Sequence, residues 1–165
     1  MPVDDIATPR LCLRPLSPET VQAIVDARRL PGWAADYPDT GDVEIARMLH
    51  GSAWLRPEIA VWGHRQVIES ASGLAIGGVG YFGPPARGSV EIGYGIVPSR
   101  QGRGYATEAV RAMLRFAWTC PAVKEVLAGT SEDNHASRRV LEKTGFGYLG
   151  RDGDELRYHV LRPPE

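Results

Sequence analysis

A basic, glycine-rich loop near the middle of the chain has the composition of an anion-binding site. The loop reads Arg-Gln-Gly-Arg-Gly over residues 100–104, and a long amphipathic segment follows it. Backbone N–H groups at a helix N-terminus lack partners inside the helix and lie at the positive end of the helix dipole, so a phosphate can satisfy them. Gly102 and Gly104 place no side chain between a phosphate and these groups. Arg100 and Arg103 add positive charge, so the loop predicts a phosphorylated ligand.

Two other phosphate-binding motifs do not explain this chain. A P-loop ends in Gly-Lys-Ser or Gly-Lys-Thr, and the sequence contains neither at the loop. The segment from Gly78 to Gly83 matches G-x-G-x-x-G, but Pro84 and Pro85 follow it where a dinucleotide site requires a helix. We therefore interpret that match as chance.

The length and composition of the chain predict one globular domain over residues 1–165. Hydrophobic residues make up 43% of the chain, which is enough for one core of ordinary size. The net charge of −1 provides no global attraction to nucleic acid or to an anionic membrane. No apolar run approaches the ~20 residues that a membrane helix needs. We therefore expect neither a nucleic-acid partner nor a membrane partner.

Cysteine and histidine usage bears on the compartment and on metal binding. Cys12 and Cys120 are the only two cysteines, and the N-terminus carries no basic or hydrophobic leader. A disulfide framework is therefore not expected, and the sequence favours the cytoplasm. The four histidines are scattered without a second ligand at metal spacing, so we expect no bound metal.

Periodicity predicts the elements that must position the loop. The segment from Arg103 to Trp118 places its apolar residues in one stripe and is the clearest helix. Further helices are expected over residues 17–30, 42–54 and 134–144. Strands are expected over residues 10–16, 58–69, 73–82, 89–97, 124–130, 146–150 and 156–161. The order βααβββαβαββ predicts an α/β fold with a mixed central sheet of about six to seven strands and flanking helices.

Two ordered motifs resemble the GNAT superfamily of N-acetyltransferases. The segment from Gln101 to Ala106, Gln-Gly-Arg-Gly-Tyr-Ala, fits the Q/R-x-x-G-x-G/A signature of that family. The segment from Asn134 to Phe146 is similar to its Asn-x-x-Ser helix that ends in Glu-Lys-x-Gly-Phe. The segments from Thr8 to Leu16 and from Glu91 to Tyr94 resemble the RimJ/RimL-type branch, whose best-known members acetylate protein N-termini.

This resemblance implies a single-domain GNAT-like fold in which two central parallel strands, residues 91–97 and 124–130, are splayed apart. It implies acetyl-CoA as co-substrate, with the pantetheine arm between these strands and the pyrophosphate on the loop. The N–H of Ile96 or of Val97 is then expected to donate to the thioester carbonyl, where negative charge develops. The resemblance gives a cofactor-binding role to Ile96, Val97, Gln101, Gly102, Arg103, Gly104, Tyr105, Ala106, Thr107, Asn134 and Ser137.

Ser137 and Glu91 are the expected catalytic residues. By resemblance, the Ser137 hydroxyl lies near the sulfur and protonates or hydrogen-bonds the departing thiolate, and the alternative is a bond within its own helix. Glu91 shares a strand face with Gly93 and Gly95, which leaves room for a ligand, so its carboxylate is the candidate general base. The alternative is a solvated or ion-paired carboxylate. An α-amine has a pKa near ~8 against ~10.4 for lysine, so an N-terminal acceptor needs little help from a base.

The acceptor amine is not specified by these motifs. We expect a protein or peptide N-terminal amine, and the alternatives are a small-molecule amine such as an amino acid, a polyamine or an antibiotic. A CoA-binding sensor module without catalysis is a further alternative. Four aromatic residues are candidates either for an acceptor groove or for the margin of the core: Trp33, Tyr37, Trp54 and Tyr81. The chain is expected to be a monomer or a homodimer.

Overall fold

An eight-stranded mixed sheet runs through the computed structural model, which describes residues 3–165 except for the side chains of residues 57 and 58. The strands are β1 (Ile6–Ala7), β2 (Leu11–Pro15), β3 (His64–Glu69), β4 (Leu74–Tyr81), β5 (Ser89–Ile96), β6 (Glu125–Ser131), β7 (Gly147–Asp152) and β8 (Glu155–Leu161). They lie in the order β1-β2-β3-β4-β5-β6-β8-β7. Neighbouring strands are antiparallel, except that β5 and β6 are parallel.

Helices cover both faces of this sheet. They are α1 (Pro18–Val25), α2 (Thr40–Leu49), α3 (Pro57–Ala60), α4 (Tyr105–Trp118) and α5 (His135–Lys143). Tyr81 of β4 faces α4, because its hydroxyl donates to the carbonyl oxygen of Met113 at 2.6 Å. Gly78 of the same strand faces the opposite way, toward Asp42 of α2. The sheet therefore lies between α4 on one face and α2, which packs on α1, on the other.

The apolar stripe of α4 fixes the direction in which its N-terminus points. The buried positions of this helix are Tyr105, Ala109, Val110, Ala112, Met113, Leu114 and Ala117. Each large apolar side chain removed from water in this way stabilises the packed arrangement by about 1.5–3 kcal/mol. The helix is therefore held along the sheet, and the glycine-rich loop emerges beside the end of β5.

The parallel pairing between β5 and β6 stops halfway along β5. Paired positions run from Ser89 opposite Glu125 to Ile92 opposite Ala128. Beyond Ile92 the two strands continue without pairing to each other, up to Ile96 and Ser131. The expected splayed central strands are therefore confirmed, and we call the space between them the gap.

The α/β class and the mixed sheet are confirmed, whereas the strand count and several boundaries differ from expectation. The additional strand, β1, has only two residues, which is too short for alternation to reveal. The sequence pattern places residues 58–63 in a strand, but α3 occupies part of this segment and β3 begins at His64. Proline at position 57 favours a helix start, because its fixed φ suits the first helical position.

The first two helices are shorter than their apolar patterns indicate. Helix α1 ends at Val25, because the backbone turns into the left-handed region at Ala27, where φ is +56°. Helix α2 ends at Leu49, just before Gly51 with φ of +69°. Among the described residues, every helix is too short or too polar to span a lipid bilayer.

Candidate active site

The glycine-rich loop ends in a row of backbone donors at the start of α4. Gly104 is the N-cap of this helix with φ of +80°, and Gly102 also lies in the left-handed region with φ of +76°. Within the described part of the chain, the N–H groups of residues 102–107 donate to no acceptor. A methyl group added to Gly102 would meet nothing within 4 Å, so the approach to the loop is open. These features fit a phosphate ligand.

A buried carboxylate holds the loop in place. Glu69 ends β3, and its side chain is only 7% exposed. It accepts a 2.8 Å hydrogen bond from the Tyr105 hydroxyl, and Nε of Arg100 lies 3.2 Å from both of its oxygens. The Ser72 hydroxyl donates to Oε1 at 2.6 Å. These donors, Ser72 foremost, hold the pKa of Glu69 below its usual range. The network fixes Arg100 beside the loop and ties the first residue of α4 to β3.

The gap exposes the backbone groups of alternate β5 residues. The N–H of Val97 donates to the carbonyl oxygen of Ile76 at 2.9 Å, and the N–H of Phe82 donates to that of Glu91 at 3.1 Å. In an antiparallel ladder this places the hydrogen-bonding groups of the odd-numbered β5 residues toward β4. The N–H of Ile96 therefore points the other way, into the gap.

This geometry corrects one expectation. Val97 is fully buried and its N–H is already bonded to Ile76, so the prediction that Val97 donates to a thioester carbonyl is wrong. The N–H of Ile96 remains the predicted donor. The carbonyl oxygen of Ile96 accepts a 2.8 Å hydrogen bond from the Gln101 side-chain amide, so the end of β5 is tied to the loop.

A long groove of about 690 Å³ follows the loop and the gap. Most of the predicted cofactor-binding residues line it, namely Ile96, Gln101, Gly102, Gly104, Tyr105, Ala106, Thr107, Asn134 and Ser137. Val97 and Arg103 do not line it. The carbonyl oxygen of Arg103 instead accepts a 2.8 Å hydrogen bond from the Arg10 guanidinium, which lies 4.5 Å over the ring of Tyr105. The groove thus joins the N-terminus of α4 to the first turn of α5.

A second cavity of about 360 Å³, here called the inner cavity, continues from the groove beyond the gap. The two spaces share the residues at their junction, which are Asp39, Tyr94, Gly95, Asn134 and Ser137. Side chains of α2 and β3 also line the inner cavity, among them Asp42, Glu44 and His64. A ligand in the groove and a second ligand in the inner cavity would therefore meet beside Gly95.

Ser137 and Tyr94 form a hydrogen-bonded pair at this junction. The two hydroxyl oxygens are 2.9 Å apart, and the Tyr94 hydroxyl is also 3.1 Å from the Ser137 carbonyl oxygen. Burial raises the pKa of Tyr94 to about 12, so it is a neutral phenol at physiological pH. The cap of α5 is Asn134, whose side-chain oxygen accepts from the Ser137 N–H at 3.1 Å. The Ser137 hydroxyl is therefore directed to β5 rather than to its own helix.

Glu91 lies on β5 but does not line the inner cavity. Its carboxylate is 2.6 Å from the Arg157 guanidinium, and Arg157 also pairs with Glu155. These contacts agree with the alternative that Glu91 is an ion-paired carboxylate. Its role as general base stays a prediction.

Three polar residues of the inner cavity were not expected from the sequence. Burial raises the pKa of Asp42 to about 6. Burial also lowers the pKa of His64 to about 4, so this imidazole is neutral at physiological pH. Tyr94 belongs to a segment that resembles the RimJ/RimL-type branch, but the sequence does not indicate that it lines a cavity. The spacing Asp39-Thr-Gly-Asp42 is visible in the sequence as a helix start, but no pattern indicates that it faces a cavity.

The four candidate aromatic residues have different surroundings. Tyr37 lines the inner cavity, and its hydroxyl is 3.3 Å from the Gln66 side-chain amide. Trp33 is buried edge-on against Tyr37, and Tyr81 is buried against α4. Trp54 packs over Gly83, where an added methyl would lie 3.3 Å from its ring. Only Tyr37 of these four is among the lining residues, so the others belong to the core or its margin.

A family model and a curated relative match this chain. The model described as "Acetyltransferase (GNAT) domain" matches residues 10–147. The protein named "Uncharacterized N-acetyltransferase YjdG" from Bacillus subtilis (strain 168) is 35% identical over 72 residues, which are 43% of this chain and 43% of that protein. The chain therefore aligns with less than half the length of this relative.

Two solved structures with bound coenzyme A groups have the same fold. RimL, described as "Ribosomal L7/L12 alpha-N-protein acetyltransferase in complex with Coenzyme A", has a TM-score of 0.69 at 18% identity, over 96% of this chain and 98% of that chain. Mycobacterium smegmatis RimJ, in complex with CoA-disulfide, has a TM-score of 0.66 at 24% identity, over 96% of this chain and 88% of that chain. These neighbours carry the names of the branch that the sequence motifs resemble.

Proposed function

The chain belongs to the GNAT acetyltransferase family, and from this premise we propose that it transfers an acetyl group from acetyl-CoA to a primary amine. The observation that carries the proposal is the junction beside Gly95, where the groove along the loop and gap meets the inner cavity. A two-substrate transfer requires two binding spaces that meet at one point. The groove has the features for the coenzyme, and the inner cavity has room for the end of an acceptor.

The groove fits acetyl-CoA at both of its ends. The N–H groups of residues 102–107 donate to no acceptor among the described residues and suit the pyrophosphate. The gap offers unpaired backbone groups of β5, which suit the amides of the pantetheine arm. Acetyl-CoA supplies the acetyl group as an activated thioester.

The residues at the junction suit the chemistry of acyl transfer. The N–H of Ile96 would donate to the thioester oxygen and stabilise it as negative charge develops. The hydroxyl pair of Ser137 and Tyr94 would supply the proton that the sulfur accepts when the carbon–sulfur bond breaks. The base that receives the proton of the amine is Glu91 in the sequence-based prediction.

We propose a protein or peptide N-terminal amine as the acceptor. The neighbouring RimL is by its name an α-N-protein acetyltransferase, an enzyme that acetylates a protein α-amine. The inner cavity carries the carboxylates of Asp39, Asp42 and Glu44, which attract a cationic amine. The guanidinium of Arg65 turns away, because it donates to the carbonyl oxygens of Asp4 and Leu13.

The test is to incubate the protein with acetyl-CoA and a panel of acceptors while following free thiol and the mass of the products. The panel contains peptides with different N-terminal residues, the same peptides with a blocked N-terminus, amino acids, polyamines and aminoglycosides. We expect thiol release and a mass gain of one acetyl group only with free peptide N-termini. If only small amines cause thiol release, the proposed peptide acceptor is wrong and the acceptor is a small-molecule amine.

Two further outcomes would reject transferase activity. If acetyl-CoA binds by calorimetry but no acceptor releases thiol, the chain is a coenzyme-binding module. If coenzyme A does not bind at all, both the transferase and the binding module are rejected.

A further inference from the structure

We propose that Asp42 in the first turn of α2 is the general base, the group that takes the proton from the attacking ammonium. This assignment rests on the proposed acetyl transfer to an amine. It differs from the sequence-based assignment to Glu91, which is ion-paired with Arg157 at 2.6 Å and does not line the inner cavity. The two oxygens of the Asp42 carboxylate have different surroundings, and these surroundings support the assignment.

One oxygen of the Asp42 carboxylate is held by a backbone hydrogen bond. Its Oδ2 accepts a 3.0 Å hydrogen bond from the N–H of Asp39, and the two residues form a capping box at the start of α2. This bond fixes the rotamer of the side chain. Among the described residues, no hydrogen bond to the second oxygen, Oδ1, is present.

The second oxygen lies over the sheet at Gly78 of β4. A Cβ atom built on Gly78 would be only 2.8 Å from Oδ1 of Asp42. Any larger residue at this position would therefore displace the carboxylate. The glycine allows a helix-borne carboxylate to approach the strand backbone closely.

Gly78 is directly opposite Gly95 of β5. Residues opposite each other in an antiparallel pair project on the same face, with Cβ positions about 4.5–5.5 Å apart. A Cβ atom on Gly95 would meet nothing within 4 Å, and Gly95 lies at the junction of groove and inner cavity. The free oxygen of Asp42 is therefore about one strand spacing from the place where the amine and the thioester would meet.

Several other titratable groups line the inner cavity with Asp42. Two of them are carboxylates, those of Asp39, the N-cap of α2, and of Glu44 within α2. Tyr37, before the helix, has a pKa raised by burial, and His64 of β3 has a pKa lowered to about 4 by burial. Tyr94 of β5 is a neutral phenol. Burial raises the pKa of Asp42 itself to about 6, where a carboxylate is a stronger base than usual.

The proton balance of the step is complete. The Asp42 carboxylate takes one proton from the ammonium, which leaves a neutral amine with a free electron pair. The amine forms the new C–N bond at the thioester carbonyl, and the C–S bond breaks with its electron pair on sulfur. The nitrogen then loses its second proton to the pair of Ser137 and Tyr94, where it replaces the proton that the pair gives to the thiolate, and Asp42 returns its own proton to solvent.

The decisive variant is Asp42→Asn, because asparagine keeps an oxygen for the N–H of Asp39 but cannot take a proton. For the wild type, kcat/KM for a peptide acceptor is expected to rise with pH through about 6. For Asp42→Asn, we expect a loss on the order of 10²-fold at pH 6.5. Activity is expected to recover as the pH approaches the amine pKa of ~8, because the free amine then needs no base.

Two comparison variants make the experiment specific. Glu91→Gln tests the competing assignment and is expected to keep the rise in activity near pH 6. Glu19→Gln removes an exposed carboxylate from the first turn of α1, away from both cavities, and is expected to behave as the wild type. Coenzyme A affinity, measured by calorimetry, is expected to be the same in all these proteins.

A second variant displaces Asp42 without changing it. Gly78→Ala adds a methyl group against Oδ1 and is expected to lower kcat about tenfold or more while coenzyme A still binds. Gly147→Ala is the matched control, because an added methyl there meets nothing within 4 Å.

The outcomes separate this assignment from the proposed function. An Asp42→Asn protein with wild-type kcat/KM and an unchanged pH profile overturns the assignment alone, as does loss of the rise near pH 6 in Glu91→Gln only. A wild-type protein that transfers no acetyl group overturns the proposed function and the assignment together.

Discussion

Ser137 and Tyr94 form the hydrogen-bonded pair of hydroxyl groups for which we propose a proton-donating role. Neither is close to the other in sequence, but α5 and β5 bring their oxygens within 2.9 Å at the junction of groove and inner cavity. Tyr94 lies in a motif of the chain, while its contact with Ser137 depends on the placement of α5 against the splayed strands. In the proposed mechanism, this pair supplies the proton that the departing sulfur accepts.

For Ser137→Ala, we expect kcat to fall on the order of 10²-fold, because a general acid contributes 10²–10⁴-fold. The KM for acetyl-CoA is expected to stay close to that of the wild type, because the N–H of Ser137 still reaches Asn134. Steady-state kinetics with a peptide acceptor measure both constants. Tyr94→Phe should give a smaller loss, and an unchanged kcat in both variants would reject the proton-donating role.

The choice between Ile96 and Val97 depends on strand register, which residue types do not reveal. Both are expected near the thioester from the sequence, and both are apolar and β-branched. The register of β5 against β4 determines which N–H group is available to a ligand. The Val97 N–H is bonded to Ile76, whereas the Ile96 N–H points into the gap. Asp42 is a similar case, since its spacing from Asp39 indicates a helix start but not a cavity.

Among the elements, the loop before α4 depends on β3 for its shape. Glu69, at the end of β3, accepts bonds from Arg100 in the loop and from Tyr105 at the start of the helix. The Glu69 carboxylate is buried and its pKa is lowered. Its negative charge therefore stabilises the fold when the pH is above the ordinary pKa of a glutamate. That stabilisation is lost as the pH falls through the pKa of the folded protein.

We expect Glu69→Gln to weaken acetyl-CoA binding by roughly tenfold, about 1.4 kcal/mol, because the loop loses its charged anchor. The midpoint of thermal unfolding at pH 7 should also fall, and the deficit should shrink at acidic pH. Calorimetry and thermal melts measure these effects. Glu132→Gln is the control, because its pair with Arg151 is exposed and worth little. Equal coenzyme affinity in both variants would contradict the anchoring role.

The first turn of α2 carries a cost in stability that Asp42→Asn should remove. The pKa of Asp42 is raised from 3.8 to about 6, so its ionised form is disfavoured in the folded protein. At pH 7.5 we therefore expect the variant to have a free energy of unfolding higher by roughly 1–3 kcal/mol. The difference should shrink as the pH falls through about 6 and vanish at about pH 3, below the ordinary Asp pKa of 3.8. Urea titrations at both pH values measure it, and a less stable variant at pH 7.5 would contradict the inference.

Sequence patterns located the long elements well and the short ones poorly. The apolar stripe of α4 and the alternation in β4 and β5 gave bounds within two residues of those in the structure. The two-residue β1 and the four-residue α3 are too short for a period to be visible. The ends of α1 and α2 depend on left-handed backbone at Ala27 and Gly51, which an apolar pattern does not record.

Across the whole molecule, the loop, the gap and the inner cavity form one continuous path. The groove of about 690 Å³ and the inner cavity of about 360 Å³ share the residues around Gly95. Backbone donors follow this path from residues 102–107 at the start of α4 to Ile96 at the end of β5. A ligand along the path would satisfy groups that the described chain leaves unpaired.

Hydrogen exchange should outline this path. In the free protein, we expect the amides of residues 102–107 to exchange rapidly, because they donate to no described acceptor. Saturating acetyl-CoA should slow them by about tenfold or more, together with Ile96. The edge strand β7 is remote and serves as an internal control. Mass spectrometry of peptic fragments measures the rates, and protection outside these segments alone would reject the path as the coenzyme site.

The early end of the β5–β6 pairing also has a mechanical consequence. Only four register pairs, from Ser89 with Glu125 to Ile92 with Ala128, join the five strands on one side to the three on the other. A force that pulls these two parts of the sheet apart would act first on these four pairs, because the rest of β5 is not paired to β6. A coenzyme hydrogen-bonded across the gap would add a second connection between β5 and β6. The molecule should therefore be stiffer with coenzyme bound than after the product has left.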